Sequence, residues 1–134
     1  MGQGGGMVFL RCNSDHHSLA LVQGGDEQGR AALREFHHMA FEISTLDELF
    51  RARDFLLERG VEIAMQGRRR AGCQLEIEFV DPNGYSVELY TLLDQVGENG
   101  WVRPSSEWNG VLDSLEEAAA NPVPGQDTTH FYSR

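Results

Sequence analysis

From residue 36 to residue 43 the chain reads FHHMAFEI, and its side chains sort into two sets at a spacing of two. A strand sends successive side chains to opposite faces, so His37, Met39, Phe41 and Ile43 share one face while Phe36, His38, Ala40 and Glu42 share the other. The same period recurs in CQLEIEFV (73–80), where Leu75, Ile77 and Phe79 alternate with Gln74, Glu76 and Glu78, the pattern of a half-buried strand. It returns in YSVELYT (85–91), with Tyr85, Val87 and Leu89 set against Ser86, Glu88 and Tyr90. Between the first two strands the period changes. STLDELFRARDFLLERG (44–60) spaces Leu46, Leu49, Phe50, Leu56 and Leu57 as one helical face, opens on a Thr45/Glu48 capping box, and stops at Gly60. VEIAMQ (61–66) reads as a further strand, GRRRAG (67–72) as a basic, solvated turn and DPNG (81–84) as a tight turn, which makes residues 36–92 a strand, a helix and three strands.

The flanks are shorter and mixed. MVFLRC (7–12) and HHSLALV (16–22) form an expected hairpin around NSD, followed by a Gly-rich loop (23–30) and a helical turn at AALRE. Beyond residue 92, VLDSLEEAAA (111–120) predicts a short helix ending near Asn121, and TTHFYS (128–133) a terminal strand. The fold class is therefore α+β, in a chain of 134 residues that suits one domain. A formal charge of -10 repels phosphate backbones and anionic lipid surfaces, which points away from nucleic acid and membranes and toward a small-molecule ligand. Cys12 and Cys73 form no CxxC pair and are expected as reduced thiols; with no signal-like start and no long apolar run, a cytoplasmic setting is expected.

Parity also locates candidate chemistry. If the helix covers the face bearing Met39, Phe41, Val87 and Leu89, then His38 and Glu88 look into the opposite, concave side together with Ser86 and Tyr90. One imidazole and one carboxylate are two of the three donors in the facial triad that leaves positions open on non-haem Fe(II).

HHMAFEISTLDELFRARDFLLERGVEI together with FVDPNGYSVELY resembles the vicinal oxygen chelate superfamily, which includes glyoxalase I, bleomycin resistance proteins and type I extradiol dioxygenases. RCNSDHHSLAL is similar to the segment of catechol-cleaving members that carries an acid/base histidine. The resemblance implies βαβββ modules forming a curved mixed sheet around a metal cavity, with one module complete (36–92), one partial (7–35) and a C-terminal extension (93–134). It implies His38 and Glu88 as metal ligands, His17 as the acid/base, and Fe(II), with Mn(II) as the alternative, as the cofactor. The implied reaction is extradiol cleavage of a small aromatic diol by O2, with 3,4-dihydroxyphenylalanine as a specific candidate.

The chain departs from that pattern where the partial module lacks the strand that bears the second metal-binding histidine. Three sources of a third ligand are open: His130 on the C-terminal strand, His16 or His17, or a second chain in a homodimer with exchanged strands. Arg69 and Glu78 stand where relatives place a histidine and a tyrosine near the substrate, and with Tyr90 they are the candidate substrate-binding residues. The Arg68–Arg70 run is a candidate site for a substrate carboxylate. A metal-free binding protein of the bleomycin-resistance kind is the competing reading, and metal-dependent isomerase chemistry a third; the latter usually takes two carboxylates, and Ala20 stands at the counterpart of Glu88.

Overall fold

The computed structural model describes residues 6–23, 36–69 and 71–128. The helical turn expected at 31–35 and the strand expected at 128–133 fall outside these, apart from Thr128, and so do Arg70 and His130. The chain divides into two compact units, Met1–His37 with Gln95–Val102, and His38–Asp94 with Arg103–Arg134.

In the first unit, β1 (Met7–Leu10) and β2 (Leu19–Val22) pair antiparallel with Phe9 opposite Ala20. The return segment joins them through Asp15, which bridges to Gln95, and Arg11, whose Nη1 donates to the Gly97 carbonyl at 3.0 Å. Both strands are apolar on both faces, yet Met7, Val8, Leu10, Leu19, Leu21 and Val22 remain exposed.

The second unit is the strand–helix–three-strand module. Its elements are β3 (His38–Glu42), α1 (Leu46–Glu58), β4 (Ile63–Arg68), β5 (Leu75–Val80) and β6 (Ser86–Thr91), and its sheet order is β3-β6-β5-β4. β3 runs parallel to β6, and the other two pairs are antiparallel. The Thr45 hydroxyl accepts from the Glu48 amide at 3.1 Å, and Gly60, at φ +75°, ends the helix. Leu46, Leu49 and Phe50 bury against Leu75 and Ile77, with Ile43 and Leu89 packed beside them. Each fully buried leucine or isoleucine contributes about 1.5–3 kcal/mol. Phe41, on the same face, stays 53% exposed. Among the described residues β3 pairs with β6 alone and forms the sheet's edge.

A short helix α2 (Leu115–Ala120) adds Leu115, Ala118 and Ala119 to this core. Its approach corrects the expected end of β4. The strand continues through Gly67 and Arg68, so these residues are not part of a solvated turn. Arg68 exchanges two backbone hydrogen bonds with Leu112, at 2.9 and 3.2 Å. Its guanidinium is completely buried, and Nη1 donates to the Ala118 and Asn121 carbonyls at 3.4 and 2.6 Å. A cation beneath the C-terminal carbonyls of a helix satisfies acceptors that the helix itself leaves open. Arg68 thus belongs to the core and is not available to a substrate. A second buried guanidinium, Arg103, grips Asp94 with Nε and Nη2 both at 2.9 Å.

Candidate metal centre

The face of the sheet opposite α1 carries the polar set. Parallel pairing of β3 with β6 places Ala40 beside Glu88 and His38 one step along, while antiparallel pairing of β5 with β6 sets Glu78 directly across from Glu88 and Glu76 across from Tyr90. Residues of one parity on neighbouring strands share a face, so three adjacent strands deliver His38, Glu88, Glu76 and Glu78 to one place. His38 Nε2 lies 3.0 Å from Glu88 Oε2. One oxygen each from Glu76, Glu78 and Glu88 fall within 4.8 Å of one another.

The remaining contacts show how such a concentration of carboxylates is tolerated. Arg69, just past the end of β4, donates from Nε to Glu76 Oε1 at 3.0 Å, and its Nη2 lies 3.8 Å from Glu78 Oε1. Gln74 donates from Nε2 to Glu76 Oε2 at 2.9 Å. Burial, with the Glu88 charge beside it, pushes the Glu76 carboxyl up to about 9, so at neutral pH it holds its proton. Burial also works against ionised Glu88, but hydrogen bonds from His38, Glu76 and Gln74 outweigh it and hold that carboxyl below its ordinary range. His38 is raised, first by its hydrogen bond to Glu88. The metal-free centre is thus an ionised Glu88 braced by a protonated carboxyl, an amide and an imidazole, with Glu78 at its margin.

Of the residues singled out by sequence, His38, Glu88, Glu78 and Arg69 come together here. Tyr90 lies on the same face, half-buried, beside Glu42 and Glu76 in register. His16 and His17 belong to the first unit, where their Nδ1 atoms are 2.9 Å apart and both rings stand near Phe9. His130 lies outside the described residues. In the sequence Glu76 and Gln74 read as ordinary members of a half-buried strand, although the alternation around Leu75 and Ile77 puts them on the face of Glu88. Both turn out to be buried, so β5 is covered on its two faces. A groove of about 650 Å³ lies elsewhere, between the end of α1 and the β4–β5 edge, lined mainly by Leu56, Val61, Phe79 and Pro82.

An imidazole and three carboxylates thus meet on the face of a βαβββ module opposite its helix, a cluster that could hold a metal ion. The chain belongs to the glyoxalase/bleomycin resistance protein/dioxygenase superfamily, whose model matches residues 1–89. It is 31% identical over 82 residues to a 1,2-dihydroxynaphthalene dioxygenase of Sphingobium xenophagum, a match covering 60% of this chain and 26% of that protein. Among solved structures it resembles the Mn(II)-bound glyoxalase from Novosphingobium aromaticivorans, with 26% identity and a TM-score of 0.60 over 90% of this chain and 40% of that one. The 2,3-dioxygenase LapB from Pseudomonas sp. KL28 shares the fold at 19% identity and a TM-score of 0.59, covering 73% of this chain and 32% of LapB. The chain therefore spans about a quarter of the curated relative and two fifths or less of these structures.

The donor set suits a divalent cation. A neutral imidazole and ionised carboxylates are ligands for iron or manganese. Among the described residues, no helix is long and apolar enough to cross a membrane.

Proposed function

We propose that this protein is a ring-cleaving dioxygenase that holds Fe(II), or Mn(II) in its place, at His38 and Glu88 and opens a small aromatic diol with O2. The observation that carries this reading is the 3.0 Å contact between His38 Nε2 and Glu88 Oε2, made from the first and last strands of one module. The relationship to a dihydroxynaphthalene dioxygenase supports the choice of diol chemistry. When bound, the metal supplies open positions for the diol oxygens and O2.

The protein's own part is to hold and move protons and to orient the ring. His38 Nε2 and Glu88 already meet in the metal-free protein, and a bound metal would take the place of the proton that Nε2 offers to the carboxylate. Glu76 keeps its proton and so leaves Glu88 as the charged member of the pair. Arg69, 41% exposed at its side chain, is the group able to reach toward an anionic oxygen of the substrate. The resemblance gives the acid/base role to His17, and an imidazole is a group that can take up a diol proton and return it near neutral pH. Tyr90 flanks the ring. A homodimer that covers the edge of β3 fits the same reading.

The test is anaerobic loading with Fe(II), followed by catechol, 1,2-dihydroxynaphthalene and 3,4-dihydroxyphenylalanine in separate assays with an oxygen electrode. Stoichiometric O2 uptake with a ring-opened chromophore is expected, and H38A and E88A should retain no iron by elemental analysis. An iron-loaded protein that consumes no O2 with any diol, yet binds aromatic ligands equally well without metal, would be a binding protein instead.

A further inference from the structure

We propose that His16 and His17 work as one unit, in which His16 relays to solvent the proton that His17 takes from the substrate. This rests on the reading above that a diol is deprotonated at His17, while the metal of that reading stays with His38 and Glu88.

Three observations carry it. First, the two Nδ1 atoms lie 2.9 Å apart, a hydrogen-bonding distance between ring nitrogens, so one proton sits between them. A neutral imidazole has a single N–H. One ring of the neutral pair therefore carries its hydrogen on Nδ1 and keeps an unprotonated Nε2, while the other accepts at Nδ1 and carries its hydrogen on Nε2. The pair has room for one further proton and not for a second, because two imidazolium rings would point N–H at N–H. Second, packing holds this geometry. Both rings stand against Phe9 of β1, with centroids at 5.2 Å for His16 and 4.9 Å for His17, and the two imidazole planes cross at 88°. The neighbouring charged side chains are tied to other groups: Asp15 accepts from Asn13 Nδ2 and Gln95 Nε2 at 2.7 and 2.8 Å, and Arg11 donates to the Asn13 and Gly97 carbonyls at 3.1 and 3.0 Å. The Cys12 thiol meets the Ser18 hydroxyl at 3.3 Å. Third, the two rings differ in outlook. His16, with Phe9, Arg11, Val96 and Val102, lines an open groove of about 320 Å³, and His17 does not.

The transfer balances. The diol O–H gives its proton to His17 Nε2, the proton between the rings passes from His17 Nδ1 to His16 Nδ1, and the proton on His16 Nε2 leaves to water in the groove. One proton enters, one leaves, and neither ring keeps a charge. The reverse sequence returns a proton to the opening ring and resets the pair.

Two kinds of measurement test this. Nitrogen-15 correlation spectra of the histidine rings in the metal-free full-length protein, assigned with H16N and H17N, read the pair without any reaction. At about pH 8.5, well above the ordinary imidazole value, one ring is expected as Nδ1–H and the other as Nε2–H; two Nε2–H rings overturn the proposal. After loading with Fe(II) and addition of the diols named above, H16A should keep its iron and its KM while kcat falls about tenfold or more, a share of the ~10²–10⁴ that a positioned acid–base group contributes. H16N has an amide that still meets His17 Nδ1 but cannot pass a proton on, so it should be as slow as H16A, and added imidazole should restore part of the rate in H16A alone. Wild-type kcat in H16A, or recovery in H16N without imidazole, overturns the relay. Loss of iron from H16A also overturns it, since His16 would then be a ligand. A wild type that shows the shared proton yet turns over no diol overturns the dioxygenase reading, and the relay with it, while the pairing of the rings stands.

Discussion

Replacing Gly67 by alanine tests how the C-terminal segment is held on the sheet that bears the candidate metal centre. Gly67 sits at φ +124°, where L side chains rarely go, and a Cβ there would lie 1.9 Å from the Leu112 carbonyl oxygen, 2.8 Å from its carbon and 3.0 Å from the Ser114 nitrogen. A backbone carbonyl cannot rotate aside as a side chain can. The segment Leu112–Ser114 must therefore leave β4, and the two Arg68–Leu112 hydrogen bonds at 2.9 and 3.2 Å are lost. Backbone strain costs about 1–3 kcal/mol, and the two hydrogen bonds add about 1 kcal/mol each. The expected destabilisation is about 3–5 kcal/mol, a large part of the ~5–15 kcal/mol that holds a typical domain. Gly84→Ala is the control: φ there is +88° but nothing lies within 4 Å of the added Cβ, so it should cost only the ~1–2 kcal/mol of left-handed strain. Urea unfolding of both variants at fixed pH reads the difference as a shift in midpoint at constant slope. If G67A proves no less stable than G84A, the close approach of Leu112 to β4 is wrong.

Other consequences follow from buried groups. In the metal-free protein Glu76 is raised from 4.5 to about 9, so between those limits the folded state holds a proton that the unfolded chain releases. Stability should then fall as pH rises from 5 to 9, by at most ~1.4 kcal/mol per pH unit, and urea midpoints of E76Q in EDTA should lose that share of the slope; an identical slope in both proteins would refute the protonated carboxyl. Asp94→Ala removes the bidentate partner of the buried Arg103, which keeps Glu107 and the Pro124 carbonyl on Nη1, and should cost about 1.5–3 kcal/mol in the same assay, whereas a loss below ~1 kcal/mol would mean that the pair is solvated. Cys12 is exposed and Cys73 buried, with burial pushing the Cys73 thiol up, so a thiol reagent should modify one cysteine rapidly in the native protein and the second only on unfolding. Two fast equivalents would contradict the packing around Cys73.

Much of the module could be read from residue order because its rules are local. Alternation at a spacing of two placed His38 and Glu88 on one face and Leu75, Ile77 and Leu89 on the other, and Thr45, Glu48 and Gly60 marked α1 by chemistry confined to a single turn at each end. The limits of that reading are equally specific. GRRRAG looks like a solvated turn because three consecutive guanidiniums avoid apolar surroundings, but Arg68 is buried since the open carbonyls at the end of α2, fifty positions later, accept its hydrogen bonds. Phe41 has the parity of a core residue and remains exposed because β3 is an edge strand.

The candidate metal centre divides along the same line. Residue order alone determines that Glu76, Glu78, Glu88 and His38 each point away from the helix, since side-chain direction along a strand is a property of the backbone. Which of them meet is decided by strand pairing: Glu78 opposes Glu88 and His38 reaches it from the other side only because β6 lies between β5 and β3. That order, and the burial that makes Glu76 keep its proton, arise from contacts between segments distant in the chain, where no local rule reaches.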